Sequence, residues 1–357
     1  MASTSRAEYQ LLSELVSTRS LSGSEEKIAR FVEHRARDMG LVATRDDASV
    51  TLEVTGAVSG PTLAFISHLD VVPPGEGWTR PAFSATVEGD RLYGRGSGDA
   101  KASVAAMMMA AADLEHGGGP ARGRLLVILG YSEETRDTTM GTAVRRAGPI
   151  DAAVVGEPTN LDIAIAQRGL LMVDLVSHGD QRHAAYAADE GGVNALVRLG
   201  RDLARLNGVF EERAHPVLGV ATATPTMLEG GISRNVTPPS AKAVLDIRST
   251  PAWTHEELAG RLQEEMESEV VVTSDRLVPC ETPADSPLLR AAEYIRPAAR
   301  RFGSPTCSDW VFVRHLDAIK CGPGTSRRSH TADEYVDLPE VTAARSFYSR
   351  LAEAYLR

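Results

Sequence analysis

The stretch Ser67-His68-Leu69-Asp70 offers an imidazole and a carboxylate two positions apart. On an extended chain such a pair shares one face, so both side chains can enter a single cleft. By itself H-x-D is a frequent accident that also fits a solvated turn. The other candidates are equally ordinary when taken singly. Asp99 follows the run GRGSG and precedes a helical pattern, where aspartate commonly caps the helix. Glu133-Glu134 and Glu157 each follow a strand-like run, and His330 lies in a polar stretch; solvated loops account for all of them. As a set they point to chemistry. Two histidines and three carboxylates, one of them shared, satisfy a pair of zinc ions and leave room for water. Such a pair can share a hydroxide nucleophile and stabilise the oxyanion that develops on the group it attacks. A carboxylate free of metal must then take the water's proton, and the spare member of Glu133-Glu134 can do so. Asp70 can orient the His68 ring through its other nitrogen.

The elements that must present these residues can be read from the apolar pattern. Residues 8–39 read as helix, broken at 20–24, where Ser22 or Ser24 ahead of Glu25 and Glu26 resembles a helix start. Strands are expected over 49–54, 62–66, 124–129 and 152–155, with a hairpin over 85–93 turning at Gly89-Asp90 and a helix over 103–114. This alternation argues for an α/β sheet with helices on its faces. The candidate ligands fall just after strand ends, where open α/β sheets build their sites. Beyond Gly169 the texture changes. Strands over 170–176, 216–228, 241–248 and 271–273, with helices over 193–206 and 256–270, make a compact α+β block that interrupts the first domain. Helices over 288–295 and 342–355 return to the first domain. The expected division is therefore 1–169 with 280–357, and 170–279 as the inserted domain.

Composition narrows the partners. The 357 residues exceed one ordinary core, and 43% hydrophobic with 24% charged residues is globular. A net charge of −10 argues against a nucleic-acid partner, although local arginines could still bind an anionic substrate. Cys280, Cys307 and Cys321 show no CxxC spacing and suit free thiols in a reducing compartment, with the cytoplasm as the default. The N-terminal residues lack a secretory pattern, and the most apolar segments, 102–112 and 125–129, are far shorter than a membrane span. GRGSG alone suggests a nucleotide, but no phosphate-cradling pattern follows it.

The words SHLDVVPPGEGW, LYGRGSGDAKAS, SEET, GEPT, GDQRHAAYAADEGGVNAL, GGISRNVTPPSAKAVLDIR and CGPGTSRRSHTADEYV occur in this order from about His68 to Val336. In them the chain resembles the co-catalytic zinc amidohydrolases that include acetylornithine deacetylase, succinyl-diaminopimelate desuccinylase, aminoacylase and glutamate carboxypeptidase. The resemblance implies a zinc-hydrolase catalytic domain with a central mixed sheet flanked by helices, plus a smaller inserted α+β dimerisation (lid) domain. It also implies a homodimer with two Zn2+ per subunit, Co2+ being an alternative. His68 and Glu157 would hold one ion, Glu134 and His330 the other, and Asp99 would bridge them. Glu133 would be the general base and Asp70 the partner of His68. His183 would stabilise the oxyanion and reach a neighbouring subunit's site, and Asn235 would contact substrate or oxyanion. Arg248 matches a family position, and Gly322 and Gly324 would shape the loop beside a substrate carboxylate. Several positions depart from the family's pattern: Ala100 and Ala102 around Lys101, Ser132 in place of an acid, Thr135-Arg136-Asp137-Thr138-Thr139 in place of a glycine-rich stretch, and the bulky Arg182 before His183.

The length and the C-terminal motif are most similar to the branch acting in arginine and lysine biosynthesis. Acetylornithine, acetyl-lysine, acetylcitrulline, or lysine or ornithine on a carrier protein, would then be the substrate. A free carboxylate calls for bidentate arginine. Arg327 and Arg328 are the first candidates, Arg248 is another, and a solvated basic turn is the plain alternative for the pair. A dipeptidase or carboxypeptidase on the same scaffold, and a non-catalytic metal-binding protein, are the rival readings.

Overall fold

The computed structural model describes residues 4–135, 138–187 and 192–357, with side chains from Tyr9 onward. Arg136 and Asp137 of the departing loop, and 188–191 of the stretch after His183, lie outside the described residues. The chain forms two compact units. The first comprises the residues up to Ile165 together with Thr282–Phe302 and Ser308–Arg357; the second comprises Ala166–Glu281 and Gly303–Cys307.

The first unit is built on a mixed sheet. Its strands run in the order Val42–Arg45, Ser49–Thr55, Arg124–Gly130, Thr62–His68, Ala152–Val155, Asp317–Lys320, Ile163–Gln167. Four of these, Arg124–Gly130, Thr62–His68, Ala152–Val155 and Asp317–Lys320, are mutually parallel. Their near-continuous apolar runs are buried throughout, as expected of strands covered on both faces. The helix Ala102–His116 is apolar on nearly every side and correspondingly buried, packed against the helix Leu338–Tyr355. This second helix begins four residues earlier than the pattern suggested, because Pro339 suits a first helical turn. No helix among the described residues is long and apolar enough to cross a membrane.

The second unit carries a four-stranded antiparallel sheet in the order Thr222–Gly230, Ser240–Ser249, Gly169–His178, Glu269–Leu277. The two central strands alternate buried and partly exposed residues, so one face is core. Leu171, Val173, Leu175, Ala243, Leu245 and Ile247 from that face pack with Leu199 and Leu258 of the covering helices Ala195–Arg205 and His255–Glu265. Two expectations are corrected here. The helix expected to run to Val270 stops at Glu265, because the buried Asp202 carboxylate accepts the backbone N–H groups of Glu267 and Ser268 at 2.9 Å each. Those groups can no longer continue the helix. The strand expected over 216–228 is split, with Gly219–Val220 paired to Ala214–His215 before the main strand begins at Thr222.

Candidate metal centre

The parallel strands deliver their carboxyl ends to one edge of the sheet, and the residues just past those ends converge. His68 closes the strand Thr62–His68 and is 1% exposed. Its Nδ1 lies 3.0 Å from the main-chain oxygen of Asp70. A carbonyl can only accept, so Nδ1 carries a proton and Nε2 is the nitrogen turned towards the site. Nε2 faces Asp99 Oδ1 at 3.4 Å and Glu157 Oε1 at 3.8 Å. The other oxygen of Asp99 faces His330 Nε2 at 3.7 Å, and that nitrogen lies 2.9 Å from Glu134 Oε1. One carboxylate therefore stands between two imidazoles. The potential ligand atoms of His68, Asp99 and Glu157 all lie within 4.8 Å of one another, as do those of Asp99, Glu134 and His330; a third such group is His68, Glu133 and Glu134.

Two carboxylates that do not enter these pairs hold the loops in place. Asp70 Oδ1 and Oδ2 accept the backbone N–H groups of Glu133 and Glu134 at 3.0 and 3.1 Å, and Oδ2 also accepts the Ser22 hydroxyl at 2.7 Å. Asp70 Oδ1 lies 3.4 Å from His68 Nδ1, so the residue expected to steady the imidazole also fixes the acid turn. Glu334 does the same for Asp99. Its buried carboxylate accepts the N–H groups of Gly96, Gly98 and Asp99 at 3.0–3.1 Å and the Arg95 guanidinium at 2.7 Å. Asp99 is extended (φ −120°, ψ 93°) and its side chain caps nothing; the helix that follows starts at Ala102 without a side-chain cap. The sequence reading did not single out Glu334. Its only signal was an acid within the HTADEY word.

The electrostatics are those of a site rich in carboxylates. Burial alone would lower the His68 pKa, but Asp70 and Asp99 outweigh it and hold it well above the ordinary value. Burial pushes Glu133 well up, and burial with the neighbouring Asp99 takes Glu157 to about 8. Glu134 raises His330, which is half-exposed. Burial opposes ionisation of Asp99, yet His68 lowers its pKa. Nitrogen and oxygen donors gathered in two triples around a common carboxylate are a donor set that fits two divalent cations of the zinc type.

Gly322 and Gly324 fill steric roles beside the ligands. A Cβ at Gly322 would lie 2.6 Å from the main-chain oxygen of Glu157 and 2.5 Å from Ser103 Oγ, and at Gly324 (φ +80°) 3.3 Å from Gly98 Cα. Of the arginines, Arg328 is engaged, with its guanidinium 3.9 Å from the centre of the Tyr335 ring and paired with Asp337 at 3.2 Å. Arg327 is exposed, and no partner of its guanidinium is found among the described residues. The remaining candidates belong to the second unit. Arg248 is bound to Asp246 of its own strand at 2.7 and 3.0 Å. His183 ends the two-residue strand Arg182–His183, paired with Val236–Thr237, and Asn235 adjoins it: the Asn235 main-chain oxygen accepts Ala184 N–H at 2.8 Å. The exposed His183 ring accepts Ala185 N–H at 3.2 Å.

The sequence pattern of Peptidase family M20/M25/M40 matches residues 64–354, which includes every residue of both ligand triples. The chain belongs to that family. It is accordingly an M20 hydrolase. Over 333 residues it is 32% identical to succinyl-diaminopimelate desuccinylase of Methylorubrum extorquens (strain PA1), with 83% of each chain covered. Among solved structures it is similar to the M20 family metallo-carboxypeptidase Sso-CP2 from Sulfolobus solfataricus, with a TM-score of 0.77, 19% identity, and 98% of this chain and 99% of that one covered. It is also similar to the YXEP protein of Bacillus subtilis, described as a dinuclear metal-binding peptidase of the M20 family, with a TM-score of 0.76, 16% identity, and 99% and 98% covered. These two likenesses show the M20 fold: a mixed α/β catalytic sheet with a second α+β unit.

Proposed function

We propose that this M20 hydrolase removes the acyl group from an N-acyl amino acid at a two-zinc centre. The observation that carries the reading is the Asp99 carboxylate standing between His68 and His330, each with its own further carboxylate. His68 and Glu157 would hold one ion, Glu134 and His330 the other, and Asp99 both; cobalt would suit the same donors. When bound, the ions supply polarisation of the scissile carbonyl and acidification of water. Glu133 takes the proton of the attacking water on its carboxylate and returns it to the leaving nitrogen. Burial raises its pKa and so strengthens its hold on the proton it takes from water. Asp70 keeps the proton of His68 on Nδ1, so that Nε2 stays a ligand. In this reading His183 would stabilise the oxyanion at a neighbouring subunit's site, Asn235 would contact substrate or oxyanion, and Arg327 would anchor the substrate carboxylate.

The desuccinylase relative favours an N-acylated diamino acid, with N-succinyl-diaminopimelate the first compound to assay. Acetylornithine, acetyl-lysine and acetylcitrulline follow, then lysine or ornithine carried on a protein. The second unit would be the dimerisation and lid domain. Its edge strand Thr222–Gly230 exposes Met227 (55%) and Leu228 (61%), apolar surface that a homodimer would cover. Cysteines that form no disulfide among the described residues suit action in the cytoplasm. The test is metal content by elemental analysis joined to hydrolysis of these compounds and of dipeptides. About two zincs per chain with turnover of N-acyl amino acids is expected. Turnover of dipeptides alone would move the reading to a peptidase, and no turnover with zinc or cobalt loaded would reject it.

A further inference from the structure

Ser132 has left-handed backbone (φ +56°), an unusual state for serine, and it opens the turn that carries Glu133 and Glu134. Something must hold it there. Glu25 is 7% exposed, and its Oε1 accepts both the Ser132 N–H and the Ser132 hydroxyl at 3.0 Å, together with the Gly23 N–H at 2.9 Å. The sequence pattern suggested a serine cap with Glu25 and Glu26 in the first helical turn. The helix Glu26–Asp38 instead starts without a side-chain cap, and neither serine serves it. Ser22 gives its hydroxyl to Asp70, and Glu25 gives its carboxylate to the acid turn. The whole 20–25 segment is tied to the His68 strand end: Ser20 Oγ donates to Leu69 O at 2.8 Å, and Val71 N donates to Ser20 O at 2.9 Å. Three successive backbone N–H groups, of Ser132, Glu133 and Glu134, are thus captured by two buried carboxylates from elsewhere in the chain. The Glu25 half of this brace lies ahead of residue 64, where the match to the family pattern begins.

We propose that Glu25 is a positioning residue for the acid turn, holding Ser132 in the left-handed conformation that aims Glu133 and Glu134 into the metal centre. The proposal rests on the roles given above to those two glutamates. Because Oε1 alone receives all three donors, an amide oxygen can replace it; the position needs an acceptor, not a charge. Glu25→Gln should therefore restore what Glu25→Ala loses. Glu134 is a ligand of one ion only, so a loosened turn should weaken one zinc and spare the other, which depends on His68, Asp99 and Glu157.

The experiment compares the zinc-loaded protein with Glu25→Ala and Glu25→Gln by three readouts: release of zinc to a chromophoric chelator, kcat and KM, and amide hydrogen exchange at 132–134. In Glu25→Ala one of the two zinc equivalents should bind about tenfold more weakly. In the same variant kcat should fall at least tenfold with KM within threefold, and exchange at 132–134 should accelerate, with Glu25→Gln close to wild type throughout. Equal weakening of both zincs, a glutamine variant as impaired as the alanine one, or unchanged exchange at 132–134 would each overturn the proposal. If Glu25→Ala does not fold, Ser132→Ala, which removes only the hydroxyl contact, should show the same one-sided zinc loss at smaller size; equal effects on both ions would again refute it. Failure of the functional reading looks different: a wild-type protein that hydrolyses no amide, or binds no zinc, leaves the exchange measurement to decide the role of Glu25.

Discussion

Replacing Asp70 with asparagine removes one oxygen acceptor from a place where four donors meet. Oδ1 receives Glu133 N–H at 3.0 Å and faces His68 Nδ1 at 3.4 Å; Oδ2 receives Glu134 N–H at 3.1 Å and the Ser22 hydroxyl at 2.7 Å. An amide must put its NH2 on one side or the other. On the Oδ2 side the Ser22 hydroxyl can turn to accept, but the Glu134 N–H then faces a donor. On the Oδ1 side the Glu133 N–H is left facing a donor, together with the protonated Nδ1 of His68. Either orientation strands at least one buried backbone N–H, at a cost of about 1–3 kcal/mol. The turn can escape only by moving the two glutamates, and a shift of about 1 Å costs roughly 100-fold in rate. Asp70→Asn should therefore lower kcat/KM by about two orders of magnitude and also lower the melting temperature. Ser22→Ala, which removes one donor and strands none, should cost no more than about tenfold. Steady-state kinetics on the best substrate from the panel, with thermal melts and zinc analysis of the same samples, measure all of this. Asp70→Asn within threefold of wild type in kcat/KM would refute the donor count.

Other expectations follow from single sites. Gly322→Ala would press its methyl against the Glu157 main chain, at an overpacking cost of about 1–3 kcal/mol; its kcat should fall together with zinc retention, and unaltered retention in a chelator challenge would contradict this. Arg327→Ala should raise KM for carboxylated substrates about tenfold with kcat kept, since an exposed guanidinium free of any described partner is spare for a ligand; equal KM values would remove it from the site. Gly260 sits exposed within the helix His255–Glu265 with open space where a Cβ would go, so Gly260→Ala should stabilise by about 0.5–1 kcal/mol in urea unfolding. Burial lowers the pKa of His255 below its ordinary value, so the unfolded chain binds more protons there than the folded one. The stability it contributes is present above about pH 6.5 and is lost as pH falls below it; wild type should lose more stability than His255→Gln between pH 7.5 and 5.5, and parallel losses would count against that sign.

Much of the catalytic framework was legible in the amino-acid pattern because its information is local. Apolar runs such as 62–66 and 124–129 mark strands buried on both faces, and parallel strands deliver their carboxyl ends to one edge of a sheet. Imidazoles and carboxylates placed just past such ends, or in loops that return to that edge, are brought together whatever the details. That is why His68, Asp99, the Glu133-Glu134 pair, Glu157 and His330 could be grouped from the pattern, while the resemblance to the zinc amidohydrolases singled out Glu134 as the ligand. Folding was needed to decide what each remaining polar group is bonded to. Glu25 and Ser132 lie 107 positions apart, and Glu334 and Asp99 lie 235 apart, so no periodicity links them. The same holds for Asp202, which ends a helix from 65 positions away, and for Arg328, whose charge is engaged by Asp337 and Tyr335. A strand or a helix announces itself by its repeat, whereas a buried carboxylate takes whichever donors the packed chain leaves unsatisfied, and only the three-dimensional arrangement determines which those are.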